Sequence, residues 1–132
     1  MDNPIRNFFE KKLNSYAITS NLPIALQNVA FNRPLNGIWL ECFLLPTRAW
    51  HREVTANKLK ICEIGIFQVN VWVKNGYGMG AGEDVAKEIV NLFPVLPKLE
   101  VSIEYPGNIG KALAPEDVGF TAIPITFEYK YN

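Results

Sequence analysis

With 132 residues the chain is expected to form one domain, 1–132, long enough to bury a core without disulfide or metal staples. Thirteen basic and thirteen acidic side chains cancel, which removes the electrostatic argument for a nucleic-acid binder and leaves no sign of sequence-specific nucleic-acid contact. No apolar run approaches the ~18 residues of a membrane span, and Met1-Asp2-Asn3-Pro4 lacks signal-peptide grammar, so the expected place of synthesis is the cytoplasm and no membrane partner is expected.

Asn3-Pro4 opens a helix, because Asn can cap and proline's missing N–H costs nothing at the first helical position. Ile5, Phe8, Phe9, Leu13 and Tyr16 recur at three- and four-residue steps, predicting an amphipathic helix to about Ser15. Ile24 to Ala30 reads as a short strand, and Asn32-Arg33-Pro34-Leu35-Asn36-Gly37 as a turn. From Ile38 to Leu45 only Glu41 interrupts an apolar run; flanking Gly37 and Pro46 and a length of eight favour a strand. That strand has two apolar faces, Ile38, Leu40 and Leu44 on one and Trp39, Phe43 and Leu45 on the other. In so small a domain, either helices cover both faces or a partner covers the second, and the partner is the preferred reading.

Thr47 to Lys60 is read as a polar connection, long for a compact domain without a function. Within it Arg48, Trp50 and Arg52 combine cations with an indole, a mixture favoured at protein interfaces; the alternative is that Trp50 folds back onto its own core. His51 is alone and makes a poor metal site. Cys42 and Cys62 have neither zinc-ligand spacing nor a C-x-x-C arrangement and are expected as buried free thiols.

Ile61 to Lys74 is the central strand. Phe67, Val69, Val71 and Val73 alternate with Gln68, Asn70 and Lys74, so one face is buried and the other partly wet. A glycine-rich loop and a short amphipathic helix follow, closed by Phe93-Pro94-Val95-Leu96-Pro97. Leu99, Val101, Ile103 and Tyr105 alternate with polar residues in a further strand. Pro106 to Val118 is a loop, and Phe120 to Tyr131 is the last strand, in which Pro124 marks an edge or a bulge. The expected fold is α+β: a single domain with a mainly antiparallel sheet, two helices on one face, and the order αβββαββ.

Gly76-Tyr77-Gly78-Met79-Gly80-Ala81 fits G-x-G-x-x-A, a variant of the dinucleotide fingerprint, and Glu100 and Glu104 lie at a suitable sequence distance to reach a ribose. A nucleotide-binding enzyme using Gly76–Ala81 is therefore the alternative reading. Against it, the flanking strands alternate apolar and polar residues, whereas the fingerprint belongs to a parallel sheet buried on both faces. The competing account is a close-packed loop whose glycines permit positive φ. No Walker A lysine and no G-x-S-x-G elbow is present, and Glu83 and Asp84 are explained by a helix N-terminus. Neither a catalytic residue nor a cofactor or metal site is expected.

Several segments in order carry a family resemblance. Leu22-Pro23-Ile24-Ala25 leads to Asn28-Val29-Ala30-Phe31, then Leu44-Leu45-Pro46, Gly65-Ile66-Phe67-Gln68-Val69-Asn70-Val71, the glycine loop, Leu92-Phe93-Pro94, and Pro106 with Ile109-Gly110 before Pro124-Ile125. Over almost its whole length the chain resembles the tail terminator-like proteins of long-tailed bacteriophages, most specifically in Gly65–Val71 and Leu92–Pro94. Leu26-Gln27 departs from the tryptophan and acidic residue expected there.

The resemblance implies a structural virion-assembly protein and no catalysis. It implies a homo-oligomeric ring, expected as a hexamer, that caps the head-proximal end of the tail tube, stops polymerisation and offers a surface for head joining. Its partners would be itself, the tail-tube protein and a head–tail connector protein. Its location would be the virion tail, after assembly in the host cytoplasm from a phage or prophage gene. Another neck or head–tail connector protein is the nearest alternative within this class. Trp39 and Phe43 are expected at the subunit interface, and Arg48, Trp50, Arg52, Tyr77 and Met79 at contacts with neighbours.

Overall fold

A computed structural model describes residues 3–55, 58–95, 100–116 and 118–131, the side chains of residues 53 and 54 excepted. The elements are α1 (Pro4–Thr19), β1 (Ile24–Ala25), β2 (Ile38–Thr55), β3 (Lys58–Lys74), α2 (Gly80–Leu92), β4 (Val101–Ile103), β5 (Asn108–Ile109) and β6 (Phe120–Tyr131). The fold is α+β, a six-stranded sheet in the order β1-β2-β3-β6-β4 with β5 also beside β6. Only the β1–β2 pair is parallel. The expected order is met except for the additional short β5.

Asn3 caps α1 as its sequence predicts: Oδ1 accepts from the amides of Ile5 and Arg6 at 3.0 Å, with Pro4 opening the helix. Ile5, Phe9, Leu13 and Ala17 form a buried stripe at four-residue steps. Ala17 extends that stripe one turn past the expected end at Ser15, and the chain then leaves through Asn21 at φ 56°.

The stripe meets the predicted inner face of β3. Phe9 stacks on Phe67 with centroids 4.4 Å apart, and Phe93, just after α2, lies 5.4 Å from Phe9 and 5.0 Å from Phe127. This aromatic cluster joins both helices to β3 and β6, each such pair adding about 0.5–1.5 kcal/mol beyond its buried area. Gly82 lets α2 approach the sheet, since a Cβ there would strike the Val73 side chain. Cys42 is fully buried in β2, and that burial, followed by the nearby Glu10 charge, pushes its thiol up to about 12.

Four local expectations are corrected. The strand predicted over Ile24 to Ala30 shrinks to Ile24–Ala25; Gln27 instead turns inward, its Oε1 accepting from the Leu44 amide at 2.9 Å and from Arg6 at 3.0 Å. The connection predicted over Thr47 to Lys60 is largely strand: β2 continues to Thr55 and β3 begins at Lys58. A ribbon wet on both faces lacks the alternation that announces a half-buried strand, so its composition imitates a loop. The strand predicted from Leu99 to Tyr105 is confined to Val101–Ile103, with Leu99 and the 96–97 part of the expected helix closure outside the described residues.

Pro124, expected at an edge or a bulge, lies in an interior strand opposite Asn70. Its carbonyl accepts from Gly110 on the far side from β3. A strand residue's N and O point the same way, so the missing donor faces the interrupted side, where only β5 and the Leu113–Ala122 bridge accompany β6.

Candidate functional site

Both helices pack on one face of the sheet, leaving the other to side chains and loops. On that helix-free face Trp39 pairs with Trp72, Glu41 with Asn70, Phe43 with Gln68 and Leu45 with Ile66. Glu41, the single interruption of its apolar run, organises the polar part. Its Oε1 accepts from Asn70 Nδ2 at 3.0 Å and from Trp72 Nε1 at 3.1 Å, while Gln68 Nε2 donates to Asn70 Oδ1 at 3.0 Å. Trp39 is 6% exposed, sandwiched between Phe31 at 5.2 Å and Trp72 at 5.3 Å. Its own chain thus covers most of the indole that the sequence assigned to a partner. Phe43 is half-buried, and Leu45 is 42% exposed.

At Pro46 the ladder changes register. Pro46 faces Gly65 and Arg48 faces Ile64, so Thr47 is an extra residue that shifts the side-chain alternation by one. Beyond it Arg48, Trp50 and Arg52 pair with Ile64, Cys62 and Lys60, the same set of alternate β3 positions that faces Trp39 and Phe43. Five of the seven residues singled out in the sequence therefore share one face, over roughly 40 Å of strand. Arg48 lies over the Trp50 ring at 5.4 Å, and Cys62, opposite Trp50, is fully buried. Trp50 is half-buried while His51 and Arg52 are exposed.

This ribbon outruns the sheet. The last β6 residue in the ladder, Tyr131, pairs with Glu63, so Lys58 to Cys62 have β2 alone as a ladder neighbour. At its root, Tyr129 lies across Gly65 and donates to Glu63 at 2.5 Å. Burial and that hydrogen bond raise the Tyr129 pKa. A Cβ on Gly65 would fall 2.5 Å from the Tyr129 hydroxyl and 2.7 Å from the Leu45 carbonyl. A cavity of about 380 Å3 opens here between Thr47, Ile66, Tyr105 and Glu128. Sequence reasoning missed Leu59 and Ile61, 69% and 55% exposed on the ribbon's other face; the alternation Lys58-Leu59-Lys60-Ile61 was the available signal.

Tyr77 and Met79 sit apart, at the opposite end of the sheet. Gly76 and Gly78 adopt φ of 91° and 82°, Tyr77 donates to Asn36 at 3.4 Å, and Met79 packs partly against the core. The loop follows Lys74, which faces Phe120, whereas β4 pairs with Tyr129–Tyr131. Glu100 and Glu104 therefore lie roughly 25–30 Å from the glycines along the sheet, out of reach of a ribose bound there. Glu100 instead accepts from the Tyr131 hydroxyl at 2.8 Å. Among the described residues no group of three His, Cys, Asp or Glu side chains could hold a metal ion, and no helix is long and apolar enough to cross a membrane.

An extended sheet face running onto a projecting ribbon defines a protein built for contact. The chain belongs to the phage tail terminator protein family, which matches residues 4–129, and is thus a structural protein of the phage tail. No curated protein matches it. Nine chains of solved structures do; one is 30% identical, with a TM-score of 0.73, over 97% of this chain and 93% of its own length.

Proposed function

We propose that the protein forms a homo-oligomeric ring, with six copies as the closed form, on the head-proximal end of the tail tube. The ring ends tube polymerisation and presents the surface to which a head–tail connector binds. The observation that carries this reading is the strip of Trp39, Phe43, Arg48, Trp50 and Arg52 on one face. It joins apolar area to cations along a single edge, as a heterologous contact that closes by rotation requires. Trp39 supports the strip from beneath; Phe43, Arg48, Trp50 and Arg52 supply the contact. Tyr77 and Met79, at the other end, meet the tube or the connector. Near-zero net charge suits a channel wall, because a strongly basic one would retain DNA through phosphate contacts.

Native mass spectrometry over a concentration series, alone and with the tail-tube protein, tests the reading. A hexamer, alone or on addition of tube, is the expected result; a strict monomer that ignores the tube overturns it.

A further inference from the structure

The sheet has two open edges at one height. On one side, β1 covers β2 only at Leu40 and Glu41 and Gln27 takes the Leu44 amide, so β2 from Pro46 onward has no outer ladder partner among the described residues. On the other side, β4 pairs only with β6 among the described residues. Followed across the sheet, Val101, Ser102 and Ile103 face Tyr131, Lys130 and Tyr129, then Glu63, Ile64 and Gly65, then Ala49, Arg48 and Pro46. The open part of β2 and the open part of β4 are therefore level with each other.

We propose that the β2 edge from Pro46 to Arg52 adds as a strand to the β4 edge of a second copy of this chain, with Arg48 and Arg52 meeting Glu100 and Glu104. The inference rests on the ring reading above and specifies which edges make it. Three alternating turns of direction separate β2 from β4, so they run oppositely. Rotation about an axis along the strands preserves direction and brings β2 of one copy antiparallel to β4 of the next, the stronger pairing sense.

Charge supports the same pairing. Residues 48–60 hold four cations against one carboxylate, leaving nine basic and twelve acidic side chains in the rest of the chain. Glu100 and Glu104 flank β4, and Lys130, beside Ser102, is the cation between them. Apolar area is available on both partners, in Leu45 on the donor edge and Tyr105, 60% exposed, beyond β4. A two-stranded ribbon alone is marginal in water, and an open edge invites another strand.

The test is a charge exchange between copies. R48E/R52E leaves a copy with acidic arm and acidic edge; E100K/E104K leaves one with basic arm and basic edge. Each variant alone should need at least about tenfold more protein to assemble, with an unchanged circular dichroism spectrum. Mixed one to one, they should restore a ring of alternating copies, recognised in native mass spectrometry by equal content of both. If either folded variant assembles alone like the wild type, or if the mixture fails to rescue, the edge pairing is overturned while the ring stands. A wild-type protein that never assembles on the tube removes both.

Discussion

The same two strands pass through two different environments. Between Ile38 and Leu45, β2 lies against β3, with β6 beyond and α1 beneath, and its inward side chains are sealed by the Phe9–Phe67–Phe93–Phe127 cluster. Past Thr47 the ladder continues, but β2 and β3 have little beside each other, and Leu59 and Ile61 are left in solvent. The body is held by burial, whereas the ribbon is held by its ladder and its turn. A segment that keeps strand geometry with so little local burial is best understood as half of a contact.

That contrast can be broken most forcefully in the body. Phe9→Ala should cost about 3–5 kcal/mol in urea denaturation; a loss under 1 kcal/mol would show that the aromatic cluster does not carry the core. Alkaline pH probes the same burial. The Cys42 thiol is raised from its ordinary 9.0 to about 12, so its neutral form is favoured by the fold. Its contribution is complete below pH 9 and is lost as pH rises toward 12. The expected slope is up to about 1.4 kcal/mol per pH unit, flattened in Cys42→Ala and seen by urea melts at pH 8, 10 and 11. Tyr16, raised to about 12 mainly by burial and by its hydrogen bond to Glu88, adds to the loss above pH 10.

At the junction, Gly65→Ala should destabilise by about 1–3 kcal/mol, because the new methyl meets the Tyr129 hydroxyl and a backbone carbonyl that cannot turn aside. On the helix-free face, the two stacked tryptophans should differ. Trp72→Phe removes a donor to Glu41 and should cost about 1–2 kcal/mol. Trp39→Phe deletes an Nε1 that is buried without a partner among the described residues, so its loss should be smaller; equal losses would show that the orphan donor finds water. Least of all, Leu59→Ser with Ile61→Ser should leave stability within about 0.5 kcal/mol. A large drop in melting temperature from that pair would make the ribbon part of the core.

The readability of the sequence followed the same boundary. Phe67 to Val73 announced the inner face because burial on one side imposes a period of two, and Asn3-Pro4 announced α1 because a cap is a local device. The ribbon was illegible: its strand character comes from pairing between Arg48 and Ile64 or Trp50 and Cys62, which no short window contains. For the same reason the site residues were found by type but not by arrangement. Trp39 read as a free apolar surface because Phe31, which covers it, is distant in the pattern. The common face shared by Phe43 and Arg48 depends on one unpaired residue in a ladder.

That residue, Thr47, makes the projection a ruler with a parity rule. Lengthening both strands by two residues would extend its reach by about 7 Å and leave the arginines facing as they do. Deleting Thr47 alone would keep the reach almost unchanged and turn Arg48, Trp50 and Arg52 to the side of Leu59 and Ile61. Distance and facing are therefore set by separate features of the chain, and a lineage fitting a wider or narrower tube can change the first without disturbing the second.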